Sequence, residues 1–294
     1  MTEPPLRIAT RGSDLARWQA NHVASLLDCP VELVVVDTTG DRLATASIAS
    51  LGGKGVFVKE VQAAVLDGRA DVAVHSAKDL PSQTFDGLRL AAVPERGDPR
   101  DALVGSRLAD LRPGAVVATG SARRRAQLAD LRPDLTFAGL RGNIPTRIEK
   151  AAQFDAIVAA AVALDRLELS AHIAEILSTS AMVPQVGQGA LAIECRDDDR
   201  DTLARLAAIE HTESRRAVDA ERAFLAELGG DCDLPAGAYA VVDGDEVRLQ
   251  GVLASLDGRI VLRHRANGAT PDELGRAVAG HLLDRAGGRE ILAG

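Results

Sequence analysis

Twice in this chain a short apolar run stops at a small polar turn and gives way to a helical pattern. Residues 115–118 (AVVA) read as a buried strand, Thr119-Gly120-Ser121 breaks it, and residues 122–131 have helical spacing. Near the start, Leu6-Arg7-Ile8-Ala9-Thr10 alternates like a strand and Arg11-Gly12-Ser13-Asp14 turns, with Ser13 or Asp14 as N-cap. Residues 15–27 then follow as a helix, in which Leu15, Val23 and Leu26 share a face beside Trp18. The run 32–36 is the next strand and completes a βαβ unit. Alternating strands and helices confine the fold to the α/β class. In open α/β sheets ligands gather beyond the C-terminal ends of the strands. A helix start there adds free N–H groups and a positive dipole end.

The second of these turns is strongly basic. Arg123, Arg124 and Arg125 sit on the first helical turn, where cations oppose the helix dipole, and Arg141 and Arg147 follow around a Gly-Asn-Ile-Pro turn. Residues 119–147 hold six Arg and two Asp, inside a chain of net charge −8. A basic cluster in an acidic chain points to a small polyanion held in a cleft. A nucleic-acid partner would require a whole basic face, so none is expected. Of 34 Lys plus Arg, only Lys54, Lys59, Lys78 and Lys150 are Lys, so a position that keeps Lys calls for a compact ammonium.

The length of 294 residues predicts two or three domains, and 46% hydrophobic content is ample for their cores. No run of eighteen apolar residues occurs, so no membrane span is expected. The opening MTEPPLRIATRGS lacks a basic leader followed by an apolar core, which predicts a cytoplasmic protein. Cys29, Cys195 and Cys232 are far apart and fit reduced thiols, with Cys29 and Cys195 as buried small hydrophobes. The six His are scattered, and no metal site is expected.

Residues 37–53 are small and polar and end in Leu51-Gly52-Gly53-Lys54-Gly55, which lacks the spacing of a Walker loop and reads as a lid or a plain loop. Residues 56–67 return to helix. Residues 71–75 form a compact strand running into Ser76-Ala77-Lys78-Asp79-Leu80-Pro81, which sets Lys78 and Asp79 in a loop at the ligand edge. A carboxylate there can stabilise a developing cation or move protons, and a Lys can hold a substrate carboxylate. Residues 94–100 (PERGDPR) read as a crossing between domains, and residues 154–163 as an apolar strand with Arg166 just beyond its end. Residues 183–191 read as a second crossing. Two crossings that enclose one α/β region predict an inserted domain. The expected boundaries are 1–95 plus 190–209, then 99–186, then 212–294. Residues 212–228 read as a helix, Gly229 to Pro235 as a loop, and 238–242, 246–253 and 259–265 as strands joined by Asp-Gly turns. A last helix opens at Pro271 and runs to about Arg285.

The segments RIATRGS, GGKGVFVKE, DVAVHSAKDLP, TGSARRR, LRGNIPTR, VPQVGQGALAIECR and GDCDLPAGAYA stand in the order and spacing of the porphobilinogen deaminase family. The resemblance covers essentially the whole chain. It implies two periplasmic-binding-protein-like, doubly wound α/β domains around a cleft, plus a small C-terminal α+β domain. It implies a transferase of heme and other porphyrin (tetrapyrrole) biosynthesis that joins four porphobilinogen molecules head to tail. Ammonia leaves at each step, and hydrolysis frees the linear tetrapyrrole hydroxymethylbilane. It implies a dipyrromethane cofactor on a thioether, and the Cys that matches is Cys232. The catalytic carboxylate matches Asp79. Residues that hold pyrrole carboxylates match Arg11, Ser13, Lys78, Thr119, Ser121, Arg123, Arg124, Arg141, Arg147 and Arg166, and the lid Lys matches Lys54. A monomer is expected.

Each pyrrole carries an acetate and a propionate, and Arg forks are the natural counter-charge for many carboxylates in one cleft. Loss of ammonia leaves an electron-poor azafulvene, and a carboxylate at Asp79 can stabilise the positive charge on pyrrole nitrogen. The chain departs from the family pattern at Ser50, where a second lid Lys often stands, and at Gly120, which removes one hydroxyl. Asp231 and Asp233 flank Cys232, and two carboxylates raise a thiol pKa. The competing reading is a non-enzymatic two-lobed receptor for a small polyanion, which leaves the third domain and its Cys loop without a purpose.

Overall fold

The computed structural model describes residues 4–38, 58–229 and 234–293. The chain begins β1 (Leu6–Arg11), α1 (Asp14–Leu26), β2 (Val31–Val36), α2 (Lys59–Leu66), β3 (Val72–Ser76) and β4 (Leu88–Ala92). It crosses to β5 (Asp101–Val104), β6 (Val116–Ala118), α3 (Ala122–Leu131), β7 (Thr136–Ala138), α4 (Ile144–Lys150), β8 (Ala156–Ala160), α5 (Ala161–Asp165) and β9 (Ile173–Ile176). It crosses back to β10 (Leu191–Arg196) and α6 (Arg200–Leu206). The last part is α7 (Thr212–Glu227), β11 (Ala236–Asp243), β12 (Glu246–Ala254), β13 (Val261–Gly268), α8 (Pro271–Gly280) and α9 (Gly288–Ala293). Among the described residues no helix is long and apolar enough to cross a membrane.

The two larger sheets repeat one plan. The first has the order β2-β1-β3-β10-β4 and the second β7-β6-β8-β5-β9. In each, three parallel strands come first, and the fourth place is filled by an antiparallel strand that arrives through a crossing. Helices cover both faces, so the central strands are buried throughout: Ile8, Val72, Ala73, Ile157 and Val158 are all 0% exposed. The third sheet, β11-β12-β13, is an antiparallel meander with Leu249, Leu253 and Ala238 packed on Phe224 of α7 and Val278 of α8.

Crossings 93–100 and 177–190 lie side by side and are hydrogen-bonded. Gly97 N–H donates to Gly189 O at 3.2 Å, and Gln188 Nε2 donates to Pro99 O at 2.7 Å. Gly189 has φ +91°, and a Cβ there would strike the Gly97 and Asp98 carbonyls. Glu221 of α7, fully buried, ties the third sheet to this pair. It accepts from Arg96 Nη1 (2.6 Å), Gly187 N (2.7 Å) and Ala240 N (2.8 Å). Thus one carboxylate joins both crossings to the third sheet.

Several local expectations are corrected. The apolar run 154–163 is not one strand: β8 ends at Ala160 and α5 begins at Ala161. Its Ala-rich half favours helix, and periodicity cannot separate a buried strand from a buried helical turn. Lys78 and Asp79 lie in a single 3₁₀ turn, Ala77–Asp79, rather than an open loop. The helix from Pro271 closes at Gly280, passes through a wider turn, and is followed by α9. Cys195 is buried as expected, but Cys29 is only half-buried.

Candidate active site

The strand ends carry the polar residues. Arg11 ends β1, and the Ser13 hydroxyl caps α1 by accepting from Ala16 N at 3.4 Å. In the second sheet Thr119 follows β6, and the Ser121 hydroxyl caps α3 by accepting from Arg124 N at 3.4 Å. Thr119 Oγ1 in turn accepts from Ser121 N at 3.2 Å. The two sheets therefore present the same hydroxyl-capped helix start to the space between them. Arg11, Ser13, Lys78 and Asp79 line one pocket together with Gln19, His75 and Ser76.

Arg123 and Arg124 are 3% and 6% exposed, and they are not free forks. Asp101, the first residue of β5 and wholly buried, lies 2.8 Å from Arg123 Nη1 and 2.7 Å from Arg124 Nη2. Arg123 Nη1 also donates to Val183 O at 2.7 Å, and Arg124 Nη1 to Val158 O at 3.2 Å. Gln188 Nε2 completes the cluster on Asp101 at 2.9 Å. Burial pushes the Asp101 carboxyl up, but the two guanidiniums outweigh it and hold it far below the usual carboxylate range. Two buried cations need a carboxylate nearby, which a reading of the helix by itself does not supply.

One carboxylate does not balance the region. Burial pushes Lys78 down to about 8, with Arg124 and Arg147 adding to the effect and Asp79 and Asp101 opposing it. Burial likewise pushes Arg147 down to about 10, helped by repulsion from Arg124 and Arg141 and opposed by Asp79. Lys78, Arg123, Arg124, Arg141 and Arg147 thus stand against Asp79 and Asp101. Arg123 Nε and Nη2 are buried without a protein acceptor. The site is short of negative charge in a poorly solvated place, which is what an anionic ligand with several carboxylates would supply.

Arg166 is held apart from this group. Its Nη2 donates to Gly189 O at 2.9 Å, and its guanidinium sits over the Trp18 ring at 5.0 Å. Arg125 is exposed. Lys54 and Cys232 lie outside the described residues, as do Ser50, Asp231 and Asp233. Leu234, two positions after Cys232 in sequence, lines a second pocket with Lys78, Leu80, Gln185 and Arg222.

Sequence reasoning missed several members. Gln19 is 4% exposed and donates to Ser76 Oγ at 2.7 Å. Its signal was a polar residue on the buried stripe of α1, between Ala16, Ala20 and Val23. His75 Nε2 lies 3.3 Å from the buried Glu194, which also accepts from Gln62 Nε2 at 2.8 Å. Asp101 and Gln188 gave no local signal, because their partners are far away in sequence.

Two α/β lobes linked by paired crossings, with a cation-rich, desolvated cleft and a third small sheet, define a two-lobed cleft protein. Residues 6–204 match the family model "Porphobilinogen deaminase, dipyromethane cofactor binding domain", and residues 216–284 match "Porphobilinogen deaminase, C-terminal domain". Curated proteins named porphobilinogen deaminase are similar over nearly full length. That of Nitratidesulfovibrio vulgaris is 47% identical, covering 98% of this chain and 96% of its own. That of Chromobacterium violaceum is 46% identical over 97% and 96%, and that of Trichlorobacter lovleyi 44% over 99% and 97%. The chain belongs to the porphobilinogen deaminase family.

Proposed function

We propose that this chain is an enzyme that joins four porphobilinogen molecules head to tail, releasing one ammonia for each, and frees hydroxymethylbilane by hydrolysis. The observation that carries the reading is the cation excess around Asp79: five buried or half-buried cations face two carboxylates. A substrate that brings an acetate and a propionate on every ring supplies the missing charge.

Lys78, Arg141, Arg147 and the spare N–H groups of Arg123 hold ring carboxylates, with Arg11, Ser13, Thr119 and Ser121 at the two helix starts. Arg124 serves the site through Asp101, by keeping Arg123 and the strand end in place. Asp79 faces the pocket that Arg11 and Ser13 line. Its carboxylate accepts from pyrrole N–H groups and stabilises the positive charge that develops as ammonia leaves. It also moves a proton between the ring carbon and the departing amine.

Cys232 carries the dipyrromethane cofactor, and Lys54 contributes a cation for the same carboxylates. The unsatisfied buried donors of Arg123 and the local positive charge fit a carboxylate-rich group of that kind. When bound, the cofactor supplies the free pyrrole α-carbon on which the chain starts. The three sheets act as domains 1–95 plus 190–209, 99–186 and 212–294, in a cytoplasmic monomer that needs neither metal nor nucleic acid.

The test is stoichiometric. Incubation with porphobilinogen is expected to release one ammonia per molecule consumed, and one linear tetrapyrrole per four. Binding of porphobilinogen without ammonia release would favour a receptor on the same scaffold.

A further inference from the structure

Beyond the cation cluster, one group spans the space between the two larger sheets. Trp18 of α1 belongs to the first, and Arg166, which follows α5, to the second. The Arg166 guanidinium lies over the Trp18 ring with Cζ 5.0 Å from its centroid. His22, one helical turn on, stacks on Trp18 with centroids 5.0 Å apart and planes 13° apart. Apolar residues continue the contact: Leu15 of α1 packs on Ala160, Val162 and Ala163.

The chemistry of the contact is unusual for an ion. Arg166 spends one N–H on Gly189 O at 2.9 Å, and among the described residues its other four N–H groups have no acceptor. A guanidinium over an indole face is stabilised through its charge and keeps its donors. Burial first and the Arg166 charge second lower the pKa of the neighbouring His22, which disfavours a second cation beside the guanidinium. Burial also depresses Arg166 to about 10, the mark of a cation with little water around it. An aromatic face is therefore the means of keeping this cation fixed while its N–H edges stay free for a carboxylate.

We propose that Trp18 is a positioning residue: its ring holds the Arg166 guanidinium in place across the cleft, with its N–H groups ready for a ligand carboxylate. The inference rests on the family resemblance, which matches Arg166 to a residue that holds pyrrole carboxylates. The ring is the only Trp in the chain, so its emission reports on the clasp directly.

The experiment compares full-length wild type, Trp18→Phe, Trp18→Leu and Arg166→Gln. Trp18→Leu removes the aromatic face and is expected to raise KM for porphobilinogen about fivefold while kcat stays within about twofold. Trp18→Phe keeps a face and restores KM. A merely structural Trp18 would lower kcat or thermal stability in both variants without that KM split, and this result would overturn the proposal. Arg166→Gln is expected to shift the Trp18 emission in protein without added substrate; an unchanged emission would also overturn it. Should the wild type fail to consume porphobilinogen, the enzymatic reading falls, while the emission comparison still decides the clasp.

Discussion

At Asp79 a single change separates binding from chemistry. Asp79→Asn keeps the shape and the hydrogen-bonding edge but loses the charge. Turnover of porphobilinogen is expected to fall by at least about a hundredfold with KM changed little; near-normal kcat would remove Asp79 from the mechanism. Lys78 gives a pH signature. Its pKa is depressed to about 8, so it is charged below that pH and neutral above it. Carboxylate binding in the free enzyme should therefore weaken as pH rises through about 8, and kcat/KM should show an alkaline limb there. Lys78→Arg keeps its charge to much higher pH and should move that limb upward. An unmoved limb would assign it to another group. The sequence made Lys78 and Asp79 legible, because a compact strand delivers them to the ligand edge. It did not make Asp101 legible. That partner reaches Arg123 and Arg124 only when β5 is inserted beside β8, and a four-residue strand has too short a pattern to announce itself.

At the scale of elements, α3 depends on β5 and on β11. Asp101→Asn leaves two buried guanidiniums without an anion and should cost about 3–5 kcal/mol of unfolding free energy, read by denaturant titration. A loss under about 1 kcal/mol would mean that the two cations find other partners. Gly237 lets β11 pass against the crossing: a Cβ there would meet Pro184 O, and would lie 2.8 Å from Arg123 Cδ and 3.0 Å from Val183 O. Gly237→Ala should destabilise by about 2 kcal/mol through overpacking and should raise KM, because Arg123 Cδ is among the atoms it displaces. Unchanged KM would show that β11 yields instead. The strand–turn–helix units were readable because their periodicities switch at a polar turn. The β8–α5 join was not, since an unbroken apolar run erases the switch.

At the scale of the molecule, the three sheets meet on Glu221. It is fully buried and takes hydrogen bonds from Arg96, Gly187 and Ala240. Glu221→Gln keeps its volume and removes the charge that Arg96 answers. Calorimetry is expected to turn one cooperative transition into two, with the third sheet melting first; a single transition at the wild-type temperature would deny Glu221 that role. The crossings themselves were visible as Pro- and Gly-rich stretches, but the carboxylate joining them was one of three Glu on an amphipathic helix. The central claim is that the cation excess of the cleft serves a pyrrole chain started on Cys232. Intact mass of the purified protein, with peptide mapping of the segment that contains Cys232, tests it most directly. The account predicts added mass equal to two linked pyrrole units, carried on Cys232. A Cys232 that is unmodified as purified, and stays so after incubation with porphobilinogen, would contradict it.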